Sequence, residues 1–171
     1  MSYFSQFRTI LYDPAGDGSA KLCTNIMSRV RVRANMKKEI VMLDTYAVKE
    51  NETPEIVADK HHGSPYYHWV VMLLNDISDV NHDWVKSTRQ LQKYLTDKYT
   101  ETQLTETHHY EISQTSGDIT TKIEVENSTY PSASIVTNYE YEVALNDSKR
   151  EINLLQNEYL NFFVDEFQNS I

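Results

Sequence analysis

The spacing of apolar residues predicts two short helices within "TPEIVADKHHGSPYYHWVVMLLNDI", which spans residues 53–77. Thr53 is suited to cap a helix that starts at Pro54, and Gly63 is suited to end it in the left-handed conformation. The same start signal recurs eleven residues later in "SP", and the apolar residues that follow it lie on one helical stripe. The stretch therefore predicts two consecutive helices joined at a glycine.

Two strands are predicted ahead of these helices. In "RVRVRA" apolar and basic residues alternate, so a strand would place the valines on one face and Arg29, Arg31 and Arg33 on the other. That basic face is either a solvated surface or an electrostatic contact to an acidic neighbour, and the sequence leaves both open. The following run, "EIVMLDTYAV", predicts a second strand that ends near Val48.

The pattern changes from helical to strand-like near residue 100. Ser87 is predicted to begin a helix in "STRQLQKYLTDKY", and "HHYEI" with "GDITTKIEVE" predicts a hairpin. "IVTNYEYEV" alternates again and predicts a strand whose one face carries Tyr139, Tyr141 and Val143. An amphipathic helix is predicted from Gln156 onward, with an apolar stripe of Tyr159, Phe162, Phe163 and Phe167.

These elements predict an α+β fold in three regions. Residues 1–36 are expected to form an extended or β segment. Residues 37–100 are expected to form a strand-helix-helix-strand module with a following helix. Residues 101–171 are expected to form a mainly β region that ends in the amphipathic helix.

Composition favours a folded protein that is rich in tyrosine. Apolar residues make up 40% of the chain and charged residues 24%, with only four Gly and four Pro. Twelve Tyr supply side chains that are apolar at one end and polar at the other, which suits interfaces. The chain has one cysteine, no secretory signal at its start, and no apolar run near the ~20 residues of a membrane span. We therefore expect cytosolic synthesis and no membrane partner.

Charge is distributed unevenly around the net value of −9. Residues 1–100 contain 13 Lys or Arg and 12 Asp or Glu, a balance of +1, whereas residues 101–171 contain 3 and 13, a balance of −10. A general basic surface of the kind that binds nucleic acid is absent, so we expect no nucleic-acid partner. The acidic part indicates a partner with a basic surface.

No residue pattern points to catalysis, a metal or a cofactor. The six histidines lack a zinc-binding spacing: His61 and His62 would diverge on a helix, and His108 and His109 would point to opposite faces of a strand. No nucleophile motif or phosphate-binding loop occurs, and Cys23 is predicted to be a buried residue near a strand. We expect no enzyme activity, no cofactor and no small-molecule substrate.

The predicted module resembles the LysM module. A strand ending in "YAV", a polar turn, two helices and "LLNDI" follow in the order that LysM modules use, over Tyr46–Ile77. The turn has Asn51-Glu52-Thr53 where glycan-binding members usually have Gly-Asp-Thr. The resemblance implies, as one function, binding of peptidoglycan or chitin by two loops that contain Glu50, Asn51, Glu52, Thr53, Asn75 and Asp76.

A longer series of segments resembles the LysM-containing baseplate wedge subunit of contractile-tailed bacteriophages. "VRVR", the quoted helical stretch, "HDW", "KYLTDKY", "HHYE" and "KREINLL" follow in that family's order, although Trp84 precedes Val85 where members commonly have proline. The resemblance implies a structural subunit that clamps neighbouring wedges around the tail hub, in six-fold arrangement with other wedge proteins. It also implies assembly in the host cytoplasm and a final place in the virion. Glycan binding is the alternative function.

Three groups of residues are candidates for contact with a partner. Tyr66, Tyr67 and His68 lie beside the start of the second helix, where tyrosines occur both at interfaces and at domain edges. The arginines of "RVRVRA" are candidates because of their charge. The third group, Phe162, Phe163 and Phe167, either docks on a partner or belongs to the core, and the sequence leaves both open.

Overall fold

The computed structural model describes residues 3–28, 42–117, 119–126 and 129–170 of the chain. Helices and strands occur throughout, which confirms the predicted α+β class. The chain divides into two compact units, one formed by Met1–Trp84 with Glu151–Ile171 and the other by Val85–Arg150. The predicted boundary between residues 100 and 101 falls inside the second unit, and the predicted C-terminal region is shared between both units.

The first unit contains two antiparallel strand pairs and helices from both ends of the chain, with elements numbered in chain order. Its strands are β1 (Thr9–Tyr12), β2 (Lys21–Thr24), β3 (Leu43–Ala47) and β7 (Glu151–Leu155), paired β1 with β2 and β3 with β7. Its α-helices are α1 (Pro54–His62), α2 (His68–Leu74), α3 (Val80–Asp83) and α7 (Leu160–Ser170). Single turns of 3-10 helix lie at Tyr3–Gln6, Pro65–Tyr67 and Asn157–Tyr159.

The two central helices begin and end where the sequence predicts. Thr53 occupies the N-cap of α1, Pro54 is its first residue, and Gly63 ends it with a φ of 71° while its N–H donates to the Asp59 carbonyl. The second start signal produces the 3-10 turn Pro65–Tyr67 first, and α2 follows directly. The Thr53 side chain makes no cap hydrogen bond to α1, so Pro54 and Gly63 mark that helix, whereas the Ser64 hydroxyl caps the 3-10 turn that leads into α2.

β7 is the strand that closes the module against β3. The pairs run from Leu43 opposite Leu155 to Ala47 opposite Glu151. No strand forms in the residues directly after α2; instead, the Asn75 side chain there donates to the Asn153 carbonyl and accepts from the Asn153 N–H, each at 2.8 Å. The strand of the expected strand-helix-helix-strand order thus comes from a distant part of the chain.

An aromatic cluster fills the core of the first unit. The Trp69 ring on α2 lies 4.6 Å from the Phe167 ring and 6.0 Å from the Phe163 ring, measured between centroids. Phe163 and Phe167 are each only 4% exposed, whereas Phe162 is 58% exposed. Since both possibilities were open for these phenylalanines, the structure assigns two of them to the core and leaves the third on the surface.

The second unit contains a three-stranded sheet, with two helices before it and one after it along the chain. Its elements are α4 (Thr88–Lys98), α5 (Glu101–Thr105), β4 (Thr107–Ser116), β5 (Ile119–Val125), β6 (Ser134–Thr137) and α6 (Asn138–Ser148). The strands are antiparallel in the order β5-β4-β6, which includes the predicted hairpin. Ser87 caps α4 in a reciprocal capping box with Gln90, so the predicted helix start is confirmed.

The strand predicted through residue 143 is wrong beyond Thr137. A helix begins there because the Thr137 hydroxyl accepts from the Glu140 N–H, at 3.3 Å, while the Glu140 carboxylate accepts from the Thr137 N–H, at 2.9 Å. Tyr139, Tyr141 and Val143 therefore lie on α6 and do not share one face of a strand. The region 101–171 is accordingly mixed rather than mainly β.

Buried polar groups in the second unit are paired with each other. The buried Glu142 carboxylate accepts hydrogen bonds from the Lys98 ammonium and, at 3.0 Å, from the Tyr99 hydroxyl. The hydrogen bond to Glu142 raises the pKa of Lys98, so this lysine stays charged. Asn146 holds the backbone of Lys86 from α6, since its amide donates to the Lys86 carbonyl and accepts from the Lys86 N–H. These contacts tie α6 to α4 and to the segment that precedes it.

Glu52 is the corresponding buried acid in the first unit. Its carboxylate accepts from the Lys60 ammonium and, at 2.8 Å each, from the Tyr46 hydroxyl and the Lys49 N–H. Burial by itself raises the pKa of Glu52, but these hydrogen bonds outweigh burial and hold the pKa below its ordinary value. The Trp84 indole donates to the Glu52 carbonyl at 2.7 Å. Glu52 thus joins β3 to α1 through its carboxylate, and its carbonyl holds Trp84, which follows α3.

We expect Phe163→Ala to lower the free energy of unfolding by about 3–5 kcal/mol, because it leaves a cavity in the aromatic cluster. Phe162→Ala is the matched control one residue away, and its effect should be within ~0.5 kcal/mol because that ring is exposed. Urea unfolding followed by tryptophan fluorescence measures both. Equal losses for the two variants would contradict the assignment of Phe163 to the core.

Glu52→Gln should remove a pH-dependent part of the stability. A carboxyl group whose pKa is lowered by folding stabilises the protein at pH values above its ordinary pKa of 4.5, and this contribution is lost as the pH falls through the folded pKa. At pH 7 we expect the variant to be less stable by about 1–3 kcal/mol, and its melting temperature should fall less steeply below pH 5 than that of the wild type. Glu50→Gln, at an exposed neighbouring residue, is the control. If the melting temperatures of the wild type and Glu52→Gln fell equally steeply with decreasing pH, this role of Glu52 would be refuted.

Candidate functional site

The predicted contact residues at the start of α2 differ in exposure. Tyr66 is 61% exposed, and its backbone N–H is held at 3.4 Å by the Ser64 hydroxyl, which fixes where the ring leaves the turn. Tyr67 is half-buried and packs against the aromatic core. His68 is half-buried as well, and its Nδ1 lies 2.9 Å from the Pro65 carbonyl, to which it donates. Of the three, Tyr66 offers the largest free surface.

An apolar groove lies beside this turn, within the first unit. Its volume is about 630 Å³, and it is lined by Tyr3, Phe4, His68, Trp69, Met72, Leu73, Ile77 and Ser78. The N-terminal 3-10 helix supplies one wall and α2 supplies the other. Phe4 is 56% exposed at the rim, so a partner could contact it without displacing core residues.

The groove includes residues that sequence reasoning did not assign to a site. Tyr3 and Phe4 belong to a segment whose aromatic residues have no clear period, so only their density could have indicated a role. In the structure, the Tyr3 ring approaches Trp69 and Phe167, at centroid distances of 5.8 Å and 5.6 Å. This packing places the N-terminal 3-10 helix next to α2.

The remaining predicted contact residues fall into three cases. Phe162 is exposed on α7, whereas Phe163 and Phe167 are buried and offer no surface to a partner. The three arginines of "RVRVRA", Arg29, Arg31 and Arg33, lie outside the described residues. Of the predicted contact residues, the exposed ones therefore lie in the turn before α2 and at Phe162. Partner contact by the three arginines stays a prediction.

The two loops of the glycan alternative contain two residues that serve the fold. Glu52 is buried and paired with Lys60, and Asn75 is bonded to β7 and also donates to the Val71 carbonyl at 2.8 Å. Asn51 and Asp76 adopt positive φ angles of 62° and 55°, which is typical of residues that turn the chain. Glu50, Asn51, Thr53 and Asp76 are exposed. Glu52 and Asn75 are thus occupied by internal contacts.

Four of the histidines form two adjacent pairs, His61 with His62 and His108 with His109. The rings of the first pair are held by contacts within the fold. His61 Nε2 donates to the Leu155 carbonyl at 2.9 Å, and His62 Nδ1 donates to the Asn157 side chain at 2.8 Å, so they tie α1 to the end of β7 and to the turn after it. Burial lowers the pKa of His62, which favours its neutral form. Among the described residues, no three His, Cys, Asp or Glu side chains are grouped to hold a metal ion.

Two predictions about individual side chains are wrong. His108 and His109 do not point to opposite faces, because a register irregularity between Thr107 and His109 brings their rings to a centroid distance of 5.1 Å. The His108 ring also stacks on Tyr141 at 3.8 Å. Cys23 is exposed rather than buried, as are all the other residues of the β1–β2 pair in which it lies.

The groove and the exposed aromatic side chains close to it form a surface suited to contact with another protein. In the part of the chain that the structure describes, no helix has the length and hydropathy to cross a membrane. The aromatic rims offer large contact area at little cost in side-chain entropy. Such geometry is suited to binding another protein.

Comparison with known proteins identifies the kind of assembly. No curated protein matches the chain. Residues 22–132, well over half of the chain, match the family described as base plate wedge protein 53. The matched range includes α1, α2 and the β4–β5 hairpin, so both compact units contribute to it. The chain therefore belongs to the base plate wedge protein 53 family of phages, and it is a structural protein of the tail baseplate that assembles with other baseplate proteins.

Proposed function

We propose that this protein clamps neighbouring baseplate wedges together around the tail hub, in six-fold repetition. The observation that carries the proposal is the apolar groove beside α2, with the exposed Tyr66 and Phe4 close to it in a protein of a baseplate family. Aromatic residues beside a concave apolar surface are typical of the energetically dominant parts of protein interfaces. Assembly would take place in the host cytoplasm before the virion is complete.

The contact element is the module formed by β3, α1, α2 and β7. Its order of elements supports the LysM resemblance, with β7 in the place of the final strand. In this proposal the module binds protein, because Glu52 and Asn75 of its two loops are committed to internal hydrogen bonds. A partner then contacts the groove and the turn before α2. Phe162 and the three arginines of "RVRVRA" are further candidate contacts.

Glycan binding is the alternative, and Asn51 and Asp76 are exposed residues of its two loops. A polar glycan would have to be held by these loops without the Glu52 carboxylate, which is paired with Lys60. The loops would also have to bind without the Asn75 amide, which is bonded to β7. The alternative therefore has fewer available groups than the sequence predicts.

Tyr66→Ala and Phe4→Ala should each reduce recovery of the protein in wedge assemblies by about tenfold, since a central aromatic contact contributes ~1–2 kcal/mol or more. The assay co-expresses the tagged chain with the other wedge proteins of the same phage and quantifies them after affinity purification. Both side chains are largely exposed, so melting temperatures should stay close to that of the wild type.

Tyr139→Ala is the matched control for this experiment, because Tyr139 is an exposed tyrosine on α6 of the second unit. Its recovery in assemblies should equal that of the wild type. Unchanged recovery of both Tyr66→Ala and Phe4→Ala would contradict the role of the groove.

Wild-type protein should not sediment with insoluble peptidoglycan or chitin. The reason is that Glu52 and Asn75, which are predicted to bind glycan, are occupied within the fold. Sedimentation that is lost in an Asn51→Ala/Asp76→Ala variant, with folding intact by circular dichroism, would favour the glycan alternative instead.

A further inference from the structure

The groove of the first unit combines aromatic rings with flexible apolar side chains. Tyr3, Phe4 and Trp69 supply the rings, and Met72 and Leu73 supply the apolar chains. The Tyr3 ring lies 5.2 Å from the Phe4 ring and 5.8 Å from the Trp69 ring, measured between centroids. Aromatic faces attract cations and stack on planar guanidinium groups, and apolar chains can cover the stem of such a side chain. This lining therefore favours a cation on an apolar stem.

His68 adds a hydrogen-bond acceptor to the groove. Its Nδ1 lies 2.9 Å from the Pro65 carbonyl oxygen, which can only accept, so Nδ1 carries the proton of the neutral ring. Nε2 is then an acceptor, and among the described residues none donates to it. A side chain that enters the groove can satisfy Nε2 only with an N–H or O–H donor.

Carboxylates lie near His68 and near Ser78, which also lines the groove. Burial raises the pKa of Glu55, but hydrogen bonds from Thr53 and from its own backbone, together with the charge that His68 gains on protonation, hold this pKa below its ordinary value. The Glu55 carboxylate is therefore close to His68 and ionised at neutral pH. Beside Ser78, the Asp83 carboxylate accepts from the Ser78 N–H at 2.9 Å and from its hydroxyl at 3.2 Å.

The charge of this part of the chain has one sign. Residues 55–83, which include α2 and the groove residues from 68 to 78, contain five acidic residues and one basic residue, Lys60, a balance of −4 with histidine neutral. Such a field attracts cationic side chains and repels carboxylates.

These three features together select one side chain. An aliphatic or phenylalanine side chain would leave the His68 acceptor without a donor. Tyrosine and tryptophan can donate, but they gain nothing from the acidic surroundings. Lysine has the charge and the donor, yet its ammonium group is compact, strongly hydrated and unable to stack. Arginine has the charge, the donors, the planar group and the apolar stem, and it is enriched in the dominant contacts of interfaces.

We propose that the groove binds an arginine side chain of another baseplate protein, with its stem against Met72 and Leu73, its guanidinium group against the aromatic rings, and one N–H donating to His68 Nε2. The inference rests on the proposed function for the identity of the partner as a wedge protein. It adds the chemistry that the groove recognises and the residue that selects for a donor.

A titration of the purified full chain with N-acetyl-arginine methylamide, followed by NMR signals of the His68 and Trp69 rings, tests this recognition. The lysine and norleucine analogues are matched probes for charge without a planar group and for apolar contact alone. We expect the arginine probe to bind at least about threefold more tightly than either, and to weaken as the salt concentration rises. Equal binding of the lysine or the norleucine probe would overturn the proposal.

Two variants of His68 separate recognition from a purely structural role. His68→Asn keeps an N–H that can donate to the Pro65 carbonyl but has no acceptor at the place of Nε2, whereas the longer side chain in His68→Gln can present one. His68→Asn should weaken the arginine probe by about fivefold or more and leave the norleucine probe unchanged, and His68→Gln should restore most of the affinity. Equal losses for both probes would overturn the assignment of His68.

Photo-crosslinking in wedge assemblies, co-expressed with the other wedge proteins of the same phage, separates this inference from the proposed function. A photoreactive phenylalanine derivative at residue 4 should crosslink to a wedge-protein segment that contains arginine, and the same derivative at Tyr139 should not. Crosslinking of residue 4 to a segment without arginine, or to a second copy of the chain, refutes this inference while incorporation still supports the assembly role. If the wild-type chain is not incorporated at all, the proposed function fails, and the probe titration alone decides whether the groove binds arginine.

Discussion

The antiparallel pairing of β3 with β7 holds the first unit together. It joins Leu43–Ala47 to Glu151–Leu155, which are separated along the chain by the whole of the second unit. Because α7 follows β7 closely, this pairing also delivers Phe163 and Phe167 to Trp69 on α2. Asn75 and His61 add hydrogen bonds to the same segment from α2 and α1. Without the β3–β7 pair, Phe163 and Phe167 would not be held against Trp69 in the aromatic core.

The second unit is inserted in sequence between Trp84 and Glu151, and it has its own internal order. The buried Glu142 with Lys98 and Tyr99, and Asn146 with the backbone of Lys86, join its helices through groups that would be costly to bury unpaired. Its sheet, in contrast, leaves aliphatic side chains in solvent. The second unit thus has paired polar groups inside and exposed aliphatic side chains outside.

Both units therefore combine an ordered interior with exposed apolar side chains, which suits a structural protein of a large assembly. In the first unit the available surface is aromatic and concave, around Tyr66 and Phe4. In the second unit it is aliphatic and lies on a sheet, in an acidic stretch of the chain.

The sequence by itself determined the elements whose signals are local. Thr53-Pro54 with Gly63 marked α1, Ser87 marked α4, and alternation marked the β4–β5 hairpin, because capping and side-chain periodicity act over a few residues. The order of its motifs also indicated the baseplate family. The capping box of Thr137 with Glu140 was present in the sequence as well, but the alternating tyrosines around it indicated a strand instead.

Only the tertiary structure decided which strand closes the module and which phenylalanines are core. Phe162 and Phe163 are adjacent and chemically identical, so their roles depend on the direction in which α7 meets α2. Likewise, "EINLL" became a strand through its pairing with β3, far away in sequence. Such choices are made by the burial of apolar surface between distant segments, which no local pattern encodes.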